Sequence, residues 1–290
     1  MAFASFEQDD DAVRATFSAR DGTQSTRAAD VLLAADGIHS AARRQCYPDE
    51  GLPRWSRLIL YRGVTRSAQF LSGRTMVQMG SKAQKFVCYP ISRAALDAGA
   101  SLTNWIACVQ ASATEALKPE DWNRKADVET FVHRYADWKF PDLDIVALIR
   151  GADEVFEFPM VDRDPLPQWT FGRMTLVGDA AHPMYPIGSN GATQAIMDAR
   201  ALADAFVRHG ADWRAALTQY EDQRRTATTA LTLANRREGL DRILDLVDER
   251  APDGFTDLET VLPARELEAI VSEYKTIAGH HVTIGAPKAS

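Results

Sequence analysis

The sequence has little cysteine and lacks several patterns that would assign a chemistry directly. The 290 residues include three cysteines, Cys46, Cys88 and Cys108, and no pair of them has C-x-x-C spacing. Their spacing argues against a disulfide framework and favours a reducing, cytoplasmic location. The patterns H-E-x-x-H and G-x-S-x-G are also absent, so we predict no metal site and no serine-hydrolase site.

Long apolar runs and an excess of basic residues are missing as well. No run approaches the roughly 18–20 residues that a membrane helix needs. The opening residues, MAFASFEQDDDAV, have neither the basic n-region nor the apolar h-region of a secretory signal. The formal net charge of −7 predicts no nucleic-acid partner. At 290 residues, with 46% hydrophobic residues, the chain can bury a large core, and we expect two lobes.

One stretch, residues 173–210, carries most of the functional signal. Met174–Val177 is a short apolar run that predicts a buried strand, and Asp179 follows at its carboxyl end. An aspartate there faces the crevice in which open α/β sheets bind ligands. Apolar residues at helical spacing over Ala192–Val207 then predict a helix, which Gly210 ends.

The loop before this helix presents small residues. Gly188 and Gly191 flank Ser189 and Asn190, so backbone N–H groups at the helix N-terminus can approach a ligand closely. The helix dipole favours negative charge at that end. With Asp179 as an acceptor for hydroxyls, the loop would suit a ribityl chain and the pyrimidine edge of a flavin.

A second strand–turn–helix pattern, DVLLAADGIHSAAR, ends at Arg43. Gly37 would let the backbone pass close to a pyrophosphate, and Arg43 could contact a phosphate through two N–H groups. Asp36 would accept from a ribose or a water, or hold the loop. The alternative is a plain strand–turn–helix with Ser40 as its N-cap.

Both patterns resemble motifs of one family. GDAAHPMYPIGSNGATQAIMDA is similar to the GD motif, and DVLLAADGIHSAAR to the DG motif, of the FAD-dependent aromatic hydroxylases. These are the p-hydroxybenzoate hydroxylase-like group A flavoprotein monooxygenases. Leu60–Thr65 and Phe158–Trp169 most resemble the phenazine hydroxylases of pyocyanin biosynthesis within that family. The resemblance extends to about Asn235.

The resemblance implies an α/β fold with a Rossmann-like FAD-binding lobe and an inserted, mostly antiparallel β-sheet lobe for the substrate. The expected bounds are 1–54 and 159–250 for the first lobe, 55–158 for the second, and 251–290 for a C-terminal helix and tail. The family opens with a βαβ unit carrying G-x-G-x-x-G, and this sequence contains no such motif. We therefore expect the first βαβ unit to be missing, with FAD bound only weakly by this chain.

The resemblance also implies a reaction. NAD(P)H reduces FAD, O2 adds at the flavin C4a, and the hydroperoxide hydroxylates a phenazine- or salicylate-like aromatic ring. The implied cofactor-binding residues are Asp36, Gly37, Arg43, Gly178, Asp179, Pro186, Gly188, Gly191 and Ala192. Pro186, Gly188 and Asn190 are expected to shape the flavin face. The substrate candidates are Tyr61, Arg62, Tyr89, Trp105 and Tyr185.

Several alternatives remain open. Aromatic residues of such a sheet are more often core than substrate contacts, and a non-catalytic binding or partner subunit could keep the same scaffold. Two roles are open for the charged segment Asp162, Arg163 and Asp164. It either shapes the active-site entrance or forms an interdomain ion-pair network. His182 is expected to pack or hydrogen-bond locally rather than act as a base. A side chain at Gly188 is expected to disturb the flavin face while changing stability little.

Periodicity predicts the remaining elements. Predicted strands cover 2–6, 12–18, 26–29, 31–35, 57–65, 75–79, 85–91, 102–110 and 155–159. Predicted helices cover 40–45, 111–138 with a break near Pro119, 142–150, 213–250 and 258–277. The strand over 31–35 is expected to be buried and parallel. The terminal helices would suit either packing on their own lobe, which we favour, or a homodimer interface.

Overall fold

The structure is a computed structural model that describes residues 1–117, 124–237 and 239–279. Its contacts divide the chain into two units. The first unit comprises Met1–Arg54, Val161–Ile243 and the residues from Phe255 onward, and the second comprises Trp55–Met160 and Leu244–Gly254. The residues described after 254 therefore group with the first unit.

The strands and helices follow in chain order. They are β1 (Ala2–Gln8), β2 (Val13–Ser18), β3 (Gln24–Ala29), β4 (Leu32–Ala34), α1 (Ala41–Cys46), β5 (Arg54–Ala68), β6 (Val77–Ser81), β7 (Gln84–Pro90), α2 (Arg93–Asp97), β8 (Ala100–Gln110), β9 (Arg124–Lys125), α3 (Ile145–Arg150), β10 (Val155–Asp162), β11 (Thr170–Phe171), β12 (Met174–Leu176), α4 (Gly191–His209), α5 (Trp213–Arg236), α6 (Arg242–Arg250), α7 (Leu258–Val261) and α8 (Ala264–Ile277).

The first unit contains two small sheets. β1, β2 and β3 form an antiparallel meander, and β11, β12 and β4 form a three-stranded sheet in that order. β12 runs parallel to β4, with Met174 opposite Leu32 and Leu176 opposite Ala34. The strand predicted over 31–35 is confirmed as parallel, but the prediction that it is buried is wrong, because Leu33 is 45% exposed. Because parallel neighbours end at the same edge, the turns after Ala34 and Leu176 lie side by side.

α4 and α5 pack on each other in this unit and complete its core. The largest buried side chains of the cluster are Phe6, Trp169, Met174, Leu176, Leu202, Leu217 and Tyr220. α8 packs on the same unit, where Tyr274 and Ala278 meet Leu231 of α5. Packing of this terminal helix on its own unit is thus confirmed.

The second unit is built on a six-stranded sheet of order β6-β7-β8-β5-β10-β9, and the predicted strands within it are confirmed. β5 pairs antiparallel with β8, and β8 with β7. One face carries the core, with Phe86, Trp105, Tyr135, Ile145 and Ile149 fully buried. α3 and two short 3-10 turns around 128–135 cover that face.

Three helix predictions are wrong in extent. Among the described residues of 111–138 there is no α-helix; 3-10 turns form at Val128–Thr130 and Val132–Tyr135, and Phe131 and Tyr135 are buried. The helix over 213–250 is interrupted after Arg236, where Gly239 has a φ of 50°. The last helix is split before Ala264, because Pro263 cannot continue α7.

Gly63 on β5 provides a test of the second unit's core. A Cβ at this position would overlap the Trp105 ring and lie 3.1 Å from Ala152 Cβ. We expect Gly63→Ala to lower the free energy of unfolding by about 1–3 kcal/mol, the usual cost of overpacking. Urea unfolding measures the change. Val64→Ala, at the exposed neighbouring position, is the control, and equal effects of both variants would contradict this packing.

Candidate functional site

The turn after β12 is held by a buried carboxylate, Asp198 of α4. Asp198 accepts hydrogen bonds from the backbone N–H of Gly178 at 3.0 Å and from Arg224 Nε at 2.7 Å, and His182 Nε2 lies 2.6 Å away. Gly178 has a φ of 59°, which glycine adopts without strain. One fully buried side chain therefore ties the GD turn to α4 and to α5.

The electrostatics of Asp198 follow from its partners. Burial favours the neutral carboxyl, but the bonds from His182, Arg224 and Gly178 outweigh burial and hold the pKa of Asp198 below its usual range. His182 is buried beside the Trp169 ring. The prediction that His182 bonds locally is confirmed, because its Nε2 is engaged with Asp198.

Asp179, the next residue after Gly178, is exposed at the carboxyl end of β12. The loop that follows exposes Pro186, Gly188 and Ser189, and Ala192 is exposed in the first turn of α4. Gly188 and Ser189 have φ values of 68° and 55°. A positive φ in a serine is strained, and such strain clusters at functional sites.

The first turn of α4 has no side-chain cap. Asn190 occupies the N-cap position but makes no capping hydrogen bond, and the helix extends for 19 residues from Gly191. A Cβ built on Gly191 would meet no atom within 4 Å, so this helix end faces open space. The arrangement offers backbone donors at the positive end of a long helix dipole.

The turn after β4 is organised differently. The Asp36 carboxylate accepts from the Ser40 hydroxyl and from the backbone N–H groups of Ala41 at 2.8 Å and Ala42 at 3.2 Å. Gly37 takes a φ of 77°. Of the two readings for Asp36, holding the loop is the one observed, and Ser40 caps α1 as the alternative proposed.

Arg43 has a role other than the predicted phosphate contact. Its guanidinium is 1% exposed and donates to the Glu50 carboxylate, to the carbonyls of Ala180 and Ala181, each at 3.0 Å, and to the Asp164 carbonyl at 3.1 Å. These bonds use the single N–H of Nε and both N–H groups on each terminal nitrogen. In this structure all five donors are engaged within the protein, and the phosphate contact of Arg43 stays a prediction.

The end of β10 and the residues that follow it form ion pairs within the first unit. Asp162 is fully buried and receives two hydrogen bonds from Arg236, at 2.6 and 3.0 Å. Arg236 also reaches Asp164 at 2.7 Å, and Arg163 contacts Glu50 at 3.0 Å. These residues form ion pairs, as the second of the two interpretations expected, but the pairs do not link the two units.

The sheet of the second unit divides the predicted substrate residues. Tyr61 stacks on Phe131 at 3.9 Å, and the fully buried Trp105 donates from Nε1 to Thr65 at 3.0 Å. Both side chains lie in the core face of the sheet, and their assignment to the substrate stays a prediction. Side chains alternate along a strand, and Tyr61 and Arg62 could not both face the same side.

The opposite face of this sheet carries an open groove of about 680 Å³. Arg62 lines it with its guanidinium 5.8 Å from the centre of the Phe158 ring, and Phe156 and Asn104 line it too. Tyr89 pairs with Asn104, so it shares this face without lining the groove.

Sequence reasoning missed Asn104, Phe156 and Phe158. The Asn104 Nδ2 is buried and has no hydrogen-bond partner within the described parts of the chain. The alternation Leu102/Asn104/Ile106 was a usable signal, because it places a polar residue on one side of an apolar strand.

The prediction that a side chain at Gly188 would change stability little is wrong. A Cβ there would lie 2.7 Å from Cε1 of Tyr274 on α8, so a side chain would collide with a buried ring. Tyr185, a predicted substrate residue, is itself buried, and its carbonyl accepts from Asn235 at 3.1 Å. No periodicity marked Tyr274 or Asn235, because the contacts join segments far apart in the chain.

Comparison with known proteins identifies the family and the fold. The sequence profile of the FAD binding domain family matches residues 1–234. The chain belongs to this family. The resemblance to the FAD-dependent aromatic hydroxylases that the DG and GD motifs indicated is thereby confirmed.

Two curated relatives of this FAD-binding chain are hydroxylases by name. Phenazine 1,6-dicarboxylic acid hydroxylase PhzS of Lysobacter antibioticus is 40% identical over 252 residues, covering 86% of this chain and 59% of the relative. 3-Hydroxybenzoate 6-hydroxylase 2 of Aquipseudomonas alcaligenes is 32% identical, covering 72% of this chain and 61% of the relative. The chain thus spans about three fifths of each relative's length.

Solved structures agree on the fold of this family member. Klebsiella pneumoniae HpxO, complexed with FAD and uric acid, matches with a TM-score of 0.66 at 22% identity, over 96% of this chain and 62% of HpxO. A salicylate hydroxylase substrate complex matches with a TM-score of 0.65 at 24% identity, over 96% and 69% of the two chains. The predicted α/β fold with an antiparallel sheet and C-terminal helices is confirmed.

Two kinds of feature are absent from the part of the chain that the structure describes. None of its helices is both long and apolar enough to cross a membrane. Its His, Cys, Asp and Glu side chains form no group of three that could hold a metal ion.

Asp198 gives a test of how the GD turn is held. We expect Asp198→Asn to lower the free energy of unfolding by about 3–5 kcal/mol at neutral pH, because Arg224 is left buried without its counter-charge. The folded pKa of Asp198 is depressed, so its charged form contributes fully above the unfolded pKa of about 4 and is lost as the pH falls through the lower folded value. The difference between the proteins should shrink in that acidic range.

Asp204→Asn is the matched control for this experiment. Asp204 lies on the same helix and pairs with Arg200, but both side chains are exposed. Urea unfolding across pH should show little change for this control. A stability of Asp198→Asn equal to that of Asp204→Asn would contradict the organising role of Asp198.

Proposed function

We propose that the protein is an FAD-dependent, NAD(P)H-using monooxygenase that hydroxylates an aromatic acid. One observation carries the proposal. In a chain of the FAD binding domain family, an exposed carboxylate, Asp179, follows a buried strand, and the uncapped N-terminus of α4 belongs to the same unit. Its three free thiols also fit the proposed cytoplasmic location.

The residues present fit part of the cofactor. Asp179 would accept hydrogen bonds from ribityl hydroxyls, and the backbone N–H groups near Ala192 would donate to the pyrimidine edge. Pro186, Gly188 and Gly191 supply a surface with few side-chain atoms. The donor set does not extend to the diphosphate through Arg43, whose N–H groups are all engaged within the protein.

When bound, the flavin supplies the redox and oxygen-transfer chemistry. The protein's own contribution at the pyrimidine edge is electrostatic. Fixed N–H donors at Asn190–Ala192 would stabilise negative charge there without reorganisation. Asp198 contributes to the proposed cofactor site indirectly, because it holds the turn that presents Asp179.

The groove of the second unit is our candidate for the substrate. A planar aromatic ring would pack on Phe156 and Phe158, and a carboxylate on that ring would pair with Arg62. Asn104 Nδ2 would donate to a ring nitrogen or hydroxyl. Phenazine and salicylate acids have this combination of a flat ring and an anionic group. Tyr89 and Tyr185 remain proposed contacts of lower rank, because neither lines the groove.

A cofactor-free partner subunit is the competing function. Such a protein would have no need for an exposed aspartate at the end of β12 or for a strained serine in the loop before α4. The names of the relatives also support an enzyme.

Titration of FAD tests the cofactor half of the proposal. We expect this chain to bind added FAD in the micromolar range or more weakly, and Asp179→Ala to cost a further 1–3 kcal/mol, roughly the penalty for leaving a buried partner unpaired. Isothermal titration calorimetry measures both. Asp222→Ala, an exposed acid on α5, is the charge-matched control. Identical affinities of wild type and Asp179→Ala would remove Asp179 from the site.

Turnover tests the substrate half. With FAD and O2 present, salicylate or phenazine-1-carboxylate should accelerate NADH or NADPH oxidation and gain one oxygen atom, detected by mass spectrometry. Arg62→Met should raise KM for these acids about tenfold or more, because a charge-assisted hydrogen bond is lost. Arg74→Met, an exposed arginine outside the groove, should not. Stimulation independent of any aromatic acid would contradict the proposal.

A further inference from the structure

The N-cap residue of α4 has its side chain turned away from the helix. Asparagine at this position ordinarily accepts a hydrogen bond from the N–H of the second or third helical residue. Asn190 does not; its Nδ2 donates to the hydroxyl of Tyr274 at 2.8 Å. Its backbone is also helical, with φ −87° and ψ −18°, rather than extended as in most N-caps. The N–H groups of Ala192 and Thr193 are thereby left without the usual side-chain acceptor.

Tyr274 is fixed where it meets this loop. It is 6% exposed, and its hydroxyl lies 2.7 Å from Asn235 Oδ1 and 3.0 Å from the Ile187 carbonyl. Burial raises the pKa of Tyr274 to about 12, so the hydroxyl keeps its proton at any physiological pH. Asn235 in turn donates to the Tyr185 carbonyl. The loop before α4 is therefore held at two carbonyls and one side chain.

The ring of Tyr274 also occupies space next to two glycines. A Cβ at Gly188 would lie 2.7 Å from Cε1 of the ring, and a Cβ at Gly239 would lie 2.8 Å from Cε2. Gln194 of α4 donates to the Ala278 carbonyl at 3.0 Å, just beyond the end of α8. α8 thus contacts α4 and the loop before it through independent bonds.

We propose that Tyr274 is a positioning residue that keeps the first N–H groups of α4 open to the flavin by holding the Asn190 side chain away from them. The inference rests on the proposed function, because it assigns the flavin edge to those groups. It adds a residue of the C-terminal helix to a site otherwise built from the GD turn and its loop.

Tyr274→Phe tests this directly, since it keeps the ring beside Gly188 and Gly239 and removes only the hydroxyl. Without the bond to the Tyr274 hydroxyl, the Asn190 side chain can turn and cap the helix, so the amides of Ala192 and Thr193 should exchange more slowly with solvent. NMR hydrogen exchange on the whole chain without cofactor measures this. FAD binding should weaken about tenfold, the value of one hydrogen bond.

A second variant separates this role from a purely structural one. Adding Asn190→Ala to Tyr274→Phe leaves no side chain able to cap, so fast exchange and FAD affinity should both return. Tyr135→Phe is the control, because it removes another buried hydroxyl, whose oxygen lies 3.0 and 3.1 Å from the Lys85 and Cys108 carbonyls in the second unit. That control should change neither readout.

Each outcome decides a different point. Exchange at Ala192 and Thr193 that is unchanged in Tyr274→Phe overturns the inference. Slowed exchange with unchanged FAD affinity also overturns it, because the flavin then does not use these amides. Slowed exchange in a chain whose wild type binds no FAD overturns the proposed function and leaves the effect of Tyr274 on Asn190 established.

Discussion

The candidate site depends on one buried negative charge. Asp198 lies on the face of α4 that is turned into the protein, and it would be costly there without partners. Its hydrogen-bond partners are Arg224 of α5, His182 and the Gly178 amide. The charge is therefore satisfied only when α4, α5 and the turn after β12 are all in place. A network of this kind gives the turn one geometry, because a half-satisfied network would be worse than none. The exposed position of Asp179 follows from that geometry.

The two units present different chemistry by different means. In the first, parallel strands bring the turns that follow Ala34 and Leu176 to one edge, and the useful groups are backbone donors and a carboxylate. In the second, antiparallel register sorts side chains onto two faces, and the useful groups are a cation and aromatic rings. Under the proposed function, backbone groups would hold a cofactor whose shape is constant, and side chains would hold the substrate.

Local patterns predicted the strands well, because apolar runs and turns act over a few residues. The parallel strand at Leu32–Ala34 and the helix ended by Gly210 were both foreseeable. Residue roles were harder. Tyr61 and Arg62 were assigned together although neighbouring strand residues face opposite sides, so register was needed to separate them. Tyr274 lies 84 residues from Asn190, and no local spacing reports such a contact.

Arg43 joins the two motifs physically. Its guanidinium connects the helix after the DG turn to two consecutive carbonyls after the GD turn, 137 and 138 residues away in sequence. Lysine, with three donors on one nitrogen, could not satisfy a carboxylate and three carbonyls spread around a planar group. Substitution here would remove the donor of two GD-motif carbonyls, of the Asp164 carbonyl and of the Glu50 carboxylate at once. The two segments are therefore held together as a single structural unit, even though more than a hundred residues separate them in sequence.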